Sequence, residues 1–216
     1  MKKITALIPV RKGSQRVKNK NIKKFSDSNL LKIKIEQLKK IKSINNIVVS
    51  SDCEKMLEIA KDCGVQTHIR EKYYASSEAT NSEFFHNLAL SIDGDHLMYS
   101  PVTCPLISRE TYLECIEKYQ LAENVVTVSP VKHHLWLDGN PLNYNIEESP
   151  NSQDLPDIYK ITYGACIISR KNMINFKNIV TPNPTFKILN EIESLDIDTE
   201  FDFLLAEMIY NKLRLK

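Results

Sequence analysis

Apolar positions in the first 130 residues alternate between short runs and helical stripes. Ile4–Ile8 is a short, mostly apolar run that stops at Pro9, which predicts a buried strand. From Asn29 to Ile41 the apolar residues stand at 30, 31, 33, 35, 38 and 41 with lysines between them, which predicts an amphipathic helix. Ile47–Ser50 reads as a second buried strand. Cys53–Cys63 reads as a helix stopped by Gly64. The same reading gives a strand at Gln66–Ile69, a helix at Ser82–Ile92 capped by Asn81 or Ser82, and a strand at His96–Ser100. A helix at Ser108–Gln120, with Ser108 as its cap, and a strand at Asn124–Ser129 complete this part.

Strands alternating with helices predict an α/β domain with a largely parallel sheet and helices on both faces. Ligands on such sheets gather outside the carboxyl ends of the strands. Three polar segments fall there: Val10–Asn21, Ser50-Ser51-Asp52 and Pro101–Leu106. The stretch 131–160 interrupts the rhythm. It is polar, rich in turn formers and carries Pro141, Pro150 and Pro156. It reads as an excursion with short strands inside a single domain spanning 1–216. Strand character returns at Tyr163–Ile168. Thr199–Leu213 reads as a closing amphipathic helix, capped by Asp198 or Thr199.

Composition narrows the class. The chain has 216 residues, enough for one sizeable core. No apolar run approaches the roughly 20 residues of a membrane-spanning helix. The apolar run near the N-terminus is too short for a signal-peptide core and lacks a small-residue cleavage site, so a cytoplasmic protein is expected. The five cysteines form no zinc or redox spacing, which predicts reduced, mostly buried thiols.

Charge adds a clue that the net value of +2 hides. Residues 1–24 hold nine bases and no acid, whereas residues 190–207 hold seven acids and no base. A basic arm for nucleic acid is one explanation. The other is that the two ends meet at one site, one holding phosphate and the other a metal.

The loop after the first strand suits phosphate. Gly13 sits in a turn directly after a buried strand, where glycine lets backbone N–H groups approach an anion. Ser14 adds a hydroxyl, and Arg11 and Lys20 add charge. Neither G-x-x-x-x-G-K-[ST] nor G-x-G-x-x-G occurs, so this is neither a P-loop nor a dinucleotide fingerprint. Near the other end stands Ser194-Leu195-Asp196-Ile197-Asp198. Aspartates two apart on a strand share a face, with Leu195 and Ile197 turned to the core. Adjacent carboxylates repel unless a cation lies between them. Mg²⁺ held by one or two carboxylates and substrate phosphates is the usual solution.

The loop Ile8-Pro9-x-Arg11-x-Gly13-Ser14 followed by Asn19-Lys20-Asn21 resembles the signature of the acylneuraminate cytidylyltransferases. The resemblance extends to Val48–Asp52, Ala79-Thr80-Asn81, Pro101–Leu106, Val131–Trp136, Asp157–Ala165 and the Asp196/Asp198 pair. It implies a Rossmann-like nucleotidyltransferase fold of the GT-A type, with the excursion used for a homodimer. It implies transfer of CMP from CTP to a small acidic acceptor, a nonulosonic or related 3-deoxy-ulosonic acid, with release of pyrophosphate. Arg11, Ser14, Lys20 and Asn21 would then hold the triphosphate around Gly13, and Asn81 would face the cytosine. Asp196 and Asp198 would hold Mg²⁺, so Arg11, Lys20, Asn21 and Asp198 are the expected catalytic set. Lys132, Lys160 and Tyr163 fall on the acceptor side.

Four positions depart from the family pattern: Lys12, Gln15, Pro101 and Tyr163. Pro101 stands where the family has a glutamine that reaches the acceptor, and Tyr163 stands where it has asparagine. His133 and His134 are adjacent, so on a strand they face opposite ways and do not pair as ligands. No nucleic acid or membrane is an expected partner. The rival readings are a non-sugar acidic acceptor, a nucleic-acid-binding protein, and a nucleotide sensor without turnover.

Overall fold

A computed structural model of the chain describes residues 2–14 and 16–214. Its elements in chain order begin with β1 (Ile4–Pro9), the hairpin β2 (Lys24–Phe25) and β3 (Ser28–Asn29), α1 (Leu30–Lys39) and β4 (Ile44–Ser51). Then come α2 (Glu54–Asp62), β5 (Gln66–Ile69), the single turn α3 (Lys72–Ala75), α4 (Asn81–Ser91) and β6 (His96–Tyr99). After α5 (Arg109–Leu121) and β7 (Asn124–Val131) follow the short strands β8 (Trp136–Leu137) and β9 (Asn140–Pro141). The chain closes with β10 (Ile158–Ile161), β11 (Cys166–Ser169), α6 (Arg170–Phe176), β12 (Thr185–Ile188) and α7 (Glu200–Arg214).

The main sheet runs β10-β7-β11-β6-β1-β4-β5, with β12 also paired to β7. β1 is parallel to both β4 and β6, and β4 is parallel to β5. β11 turns the direction, pairing antiparallel with β6 and with β7. Alternation along each strand feeds two cores. Ile4, Ala6 and Ile8 of β1 join α1, α2, α5 and α7 on one face. Leu7 joins α4 and α6 on the other. The expected α/β sheet with helices on both faces is therefore present, and its parallel part lies where the sequence placed it.

Several expectations need correction. Lysines on α1 do not all face water: Lys34 is fully buried, because α1 is covered by the Pro101–Leu106 loop as well as by the sheet. The cap of α4 is Thr80 rather than Asn81 or Ser82. Its hydroxyl accepts from Glu83 N while Glu83 accepts from Thr80 N, a reciprocal box. Of the two caps expected for α7, Thr199 is the one used, in the same kind of exchange with Asp202. Tyr163 is not a strand residue; its φ is +57° and the strand starts at Cys166. Residues 194–198 form no strand: Ser194 closes a turn, and Ile197 N donates to Thr103 O. The alternation inferred for them holds only in part: Ile197 is buried, but Leu195 is half-buried like Asp196 and Asp198.

The segment 132–157 carries the β8–β9 hairpin, separate from the main sheet, and a 3₁₀ turn at Ser152–Asp154. Trp136, Leu137, Leu142 and Ile146 on it are exposed. Cys104, Cys115 and Cys166 are buried, Cys53 and Cys63 half-buried, and all five are free thiols. Among the described residues no helix is long and apolar enough to cross a membrane.

Candidate active site

A cleft of about 660 Å³ opens at the carboxyl ends of the parallel strands. One wall is the loop after β1. Gly13 has φ +84° with open space where a Cβ would stand, so the turn exists because glycine occupies it. Lys12 N donates to Asp52 Oδ1 at 2.9 Å, which fastens the loop to the end of β4. Asn21 is buried and its Nδ2 donates to Arg11 O at 3.0 Å, closing the base of the loop. Arg11 donates to Ala75 O at 2.9 Å and so joins the loop to α3. Arg11, Ser14, Lys20 and Asn21 all line the cleft. Gln15 lies outside the described residues.

The opposite wall carries Asp196, while Asp198 is not among the residues lining the cleft. Asp196 lines the cleft beside Thr103. Burial, with the neighbouring charge of Asp198 adding to it, raises the Asp196 pKa above the ordinary carboxylate value. Thr103, Lys20 and Lys160 act the other way. Asp198 is paired with Arg16, Nη2 to Oδ1 at 2.6 Å; the Arg16 side chain is about two-thirds exposed and that of Asp198 about half. Lys20 bridges the two walls: its Nζ donates to Ile197 O. Burial lowers the Lys20 pKa, and the charges of Asp198 and Asp196 oppose that shift. The two ends of the chain thus meet at Lys20, as the charge asymmetry suggested.

The floor and far end hold residues of mixed type. Arg70, at the carboxyl end of β5, is buried and lines the cleft. Its Nη2 donates to Val10 O, its guanidinium stacks 5.0 Å from the Phe84 ring, and its Nε has no partner. Burial lowers its pKa to about 10. Asn81 is exposed in the first turn of α4 and faces the same cleft. Tyr74, Phe84, Tyr99 and Tyr163 give that end an aromatic lining, with Pro101 beside them.

Two sequence-derived acceptor residues are not among those lining the cleft. Lys132 is held within the excursion, donating to Leu155 O at 2.7 Å and pairing with Asp157 at 2.7 Å. Lys160 is exposed on β10 and reaches the site only as positive charge felt by Asp196. His134 Nε2 lies 3.0 Å from Pro150 O and its ring packs on Tyr144, a role inside the excursion. Sequence reading missed Arg70, Arg16 and Thr103. Arg70 was within reach, since it ends a parallel strand like the three segments that were noted.

The sequence profile of the family described as Cytidylyltransferase matches residues 5–159. The chain belongs to this family. Membership makes it a nucleotidyltransferase that draws on CTP, and the family resemblance is borne out. The post-translational flagellin modification protein B of Campylobacter coli is 25% identical, the match covering 100% of this chain and 98% of that protein. The pseudaminic acid cytidylyltransferase of Campylobacter jejuni subsp. jejuni serotype O:2 is 24% identical over 94% of each chain. Among solved structures, a CMP:2-keto-3-deoxy-manno-octonic acid synthetase complexed with CTP superposes with a TM-score of 0.72 at 11% identity. That match covers 98% of this chain and 99% of the other. It bears out the nucleotidyltransferase fold.

Proposed function

We propose that this cytidylyltransferase joins CMP to an acidic sugar, a nonulosonic or related 3-deoxy-ulosonic acid. The observation that carries the reading is the meeting of the Arg11–Asn21 loop with Asp196 in one cleft, where Lys20 holds Ile197 O and Arg16 pairs with Asp198. The similarity to a pseudaminic acid cytidylyltransferase supports the choice of acceptor. An acceptor hydroxyl attacks the α-phosphorus, a P–O bond forms, the α–β phosphoanhydride bond breaks and pyrophosphate leaves. Arg11, Ser14, Lys20 and Asn21 surround Gly13 so as to orient the triphosphate and neutralise the leaving pyrophosphate. Asn81 and the Arg70–Phe84 pair stand where the base would lie. Tyr163 and Pro101 shape the acceptor end, with Lys160 and, from the excursion, Lys132 as sources of positive charge.

Asp196 and Asp198 fit Mg²⁺. Their charges repel, and among the described residues no third His, Cys, Asp or Glu completes a closed cage. Two carboxylates that leave the other positions to phosphate and water suit Mg²⁺ rather than a structural metal. When bound, the ion would polarise the α-phosphate and offset its developing charge. A homodimer belongs to the same reading, supported by the exposed apolar residues of the excursion. So does work in the cytoplasm, supported by five free thiols. A nucleic-acid role is disfavoured because Lys2, Arg16 and Lys23 already hold partners within the chain.

The test is pyrophosphate release with CTP and Mg²⁺ across a panel of keto-deoxy sugar acids and non-sugar acids. Turnover confined to sugar acids is expected. No turnover and no CTP binding would sink the proposal. Turnover only with non-sugar acids would keep the enzyme and replace the acceptor.

A further inference from the structure

We propose that Lys34 is a positioning residue for the Asp196 carboxylate, acting through the backbone of the Thr103–Cys104 segment. The inference rests on the metal role assigned above to Asp196 and Asp198. Lys34 sits in α1 with no exposed surface, and among the described residues no carboxylate pairs with it. Its Nζ donates to Cys104 O and to Tyr112 Oη, each at 2.7 Å, and lies 5.4 Å from the Tyr112 ring. Burying an ammonium without a counter-charge is costly, and a leucine or methionine would fill such a space without that cost. The cost needs a return, and the contacts of the segment it grips supply one.

Thr103 and Cys104 frame the acidic strand. Thr103 O accepts from Ile197 N at 2.9 Å, the Thr103 side chain favours the ionised form of Asp196, and Cys104 Sγ lies 3.9 Å from Asp196 Oδ1. Residues 195–198 belong to no strand, so the Thr103 contact, with Lys20 on Ile197 O and Arg16 on Asp198, sets their place. Lys34, with Gln37 donating to Pro105 O at 2.5 Å, ties this frame to α1. The same network runs through Tyr112 Oη to Ser100 Oγ at 2.8 Å and on to Gly164 O at 3.1 Å, next to Tyr163. One buried ammonium thereby links the metal wall and the aromatic end of the cleft to a single rigid helix.

The test uses Mn²⁺ as a paramagnetic probe with a non-hydrolysable CTP analogue, comparing wild type, Lys34→Met, Lys34→Gln and Asp198→Asn. Lys34→Met should melt cooperatively and bind the analogue without metal as wild type does. Its Mn²⁺ affinity should fall about tenfold or more, the size seen when an outer-shell partner of a metal ligand is lost. Lys34→Gln keeps a donor for Cys104 O and should recover part of the affinity. Wild-type Mn²⁺ affinity in Lys34→Met overturns the inference. So does an equal loss of analogue and metal binding, or failure of both variants to fold, since either makes Lys34 a residue of general stability. If Asp198→Asn leaves Mn²⁺ affinity unchanged, the metal reading itself fails and this inference falls with it.

Discussion

Lys20 is the side chain on which the two walls of the cleft depend. Its ammonium touches Ile197 O and feels both aspartates. A methionine there keeps the apolar stem and removes the charge, so Lys20→Met should lower kcat/KM for CTP by roughly 10²–10³-fold. Steady-state pyrophosphate release measures it, and a loss under threefold would remove Lys20 from the phosphate-binding set. Asp196 poses an opposite trade. Burial and Asp198 raise its folded pKa above the unfolded value. The folded protein then holds that proton more tightly, so stability is lost as pH rises through the window between the two values and stays lost above it. Asp196→Asn should melt higher than metal-free wild type at pH 7. The gain should shrink as pH falls toward the ordinary carboxylate range, while transferase activity drops at least about 100-fold. Melts from pH 4 to 8 without metal read the sign, and a lower melting temperature at pH 7 would contradict it.

Short elements aim the site residues, and their ends matter more than their interiors. Thr80 and Glu83 close the N-terminus of α4, leaving Asn81 uncommitted in the first turn and turned to the cleft. Thr80→Ala should cost about 1 kcal/mol, or roughly 2–4 °C in Tm for a chain of this size. If the fixed first turn aims Asn81, KM for CTP should rise with kcat unchanged. A lower Tm with unaltered KM would limit the box to stability. The helices legible in the sequence were those of several turns, α1, α2, α4, α5 and α7. The loops at strand ends followed from the parallel alternation. Four-residue β12 and seven-residue α6 are too short to show a period, and β12 exists because β7 offers it an edge. Lys34 was illegible for another reason: a lysine between apolar positions looks solvent-facing unless the covering loop, 70 residues away, is known. Arg16 and Asp198, 182 residues apart, were seen as two charged regions but not as a pair.

Across the whole molecule the basic beginning is stitched to the acidic end. Lys23 pairs with Glu200 at 2.6 Å, Ser26 N donates to Glu207 at 2.5 Å, and Arg214 pairs with Asp27 at 2.5 Å. Exposed pairs of this kind add little stability singly; they hold the hairpin after the phosphate loop against α7. The excursion lacks such closure. Trp136, Leu137 and Leu142 are each about half exposed on the excursion. Trp136 and Leu137 occupy a two-stranded hairpin that pairs with no strand of the main sheet. A lone hairpin of this length is marginal in water, and apolar residues left open on it are a place for a partner. In the proposed homodimer they are covered by a second chain. Sedimentation velocity at tens of micromolar should then find a species of about twice the 24.9 kDa chain mass. Trp136→Glu places a charge where the interface would be dry, and it should sediment as the single chain while still binding CTP, since Trp136 is not among the residues lining the cleft. A wild type that sediments as one chain would overturn the dimer and leave the hairpin's apolar face to some other partner.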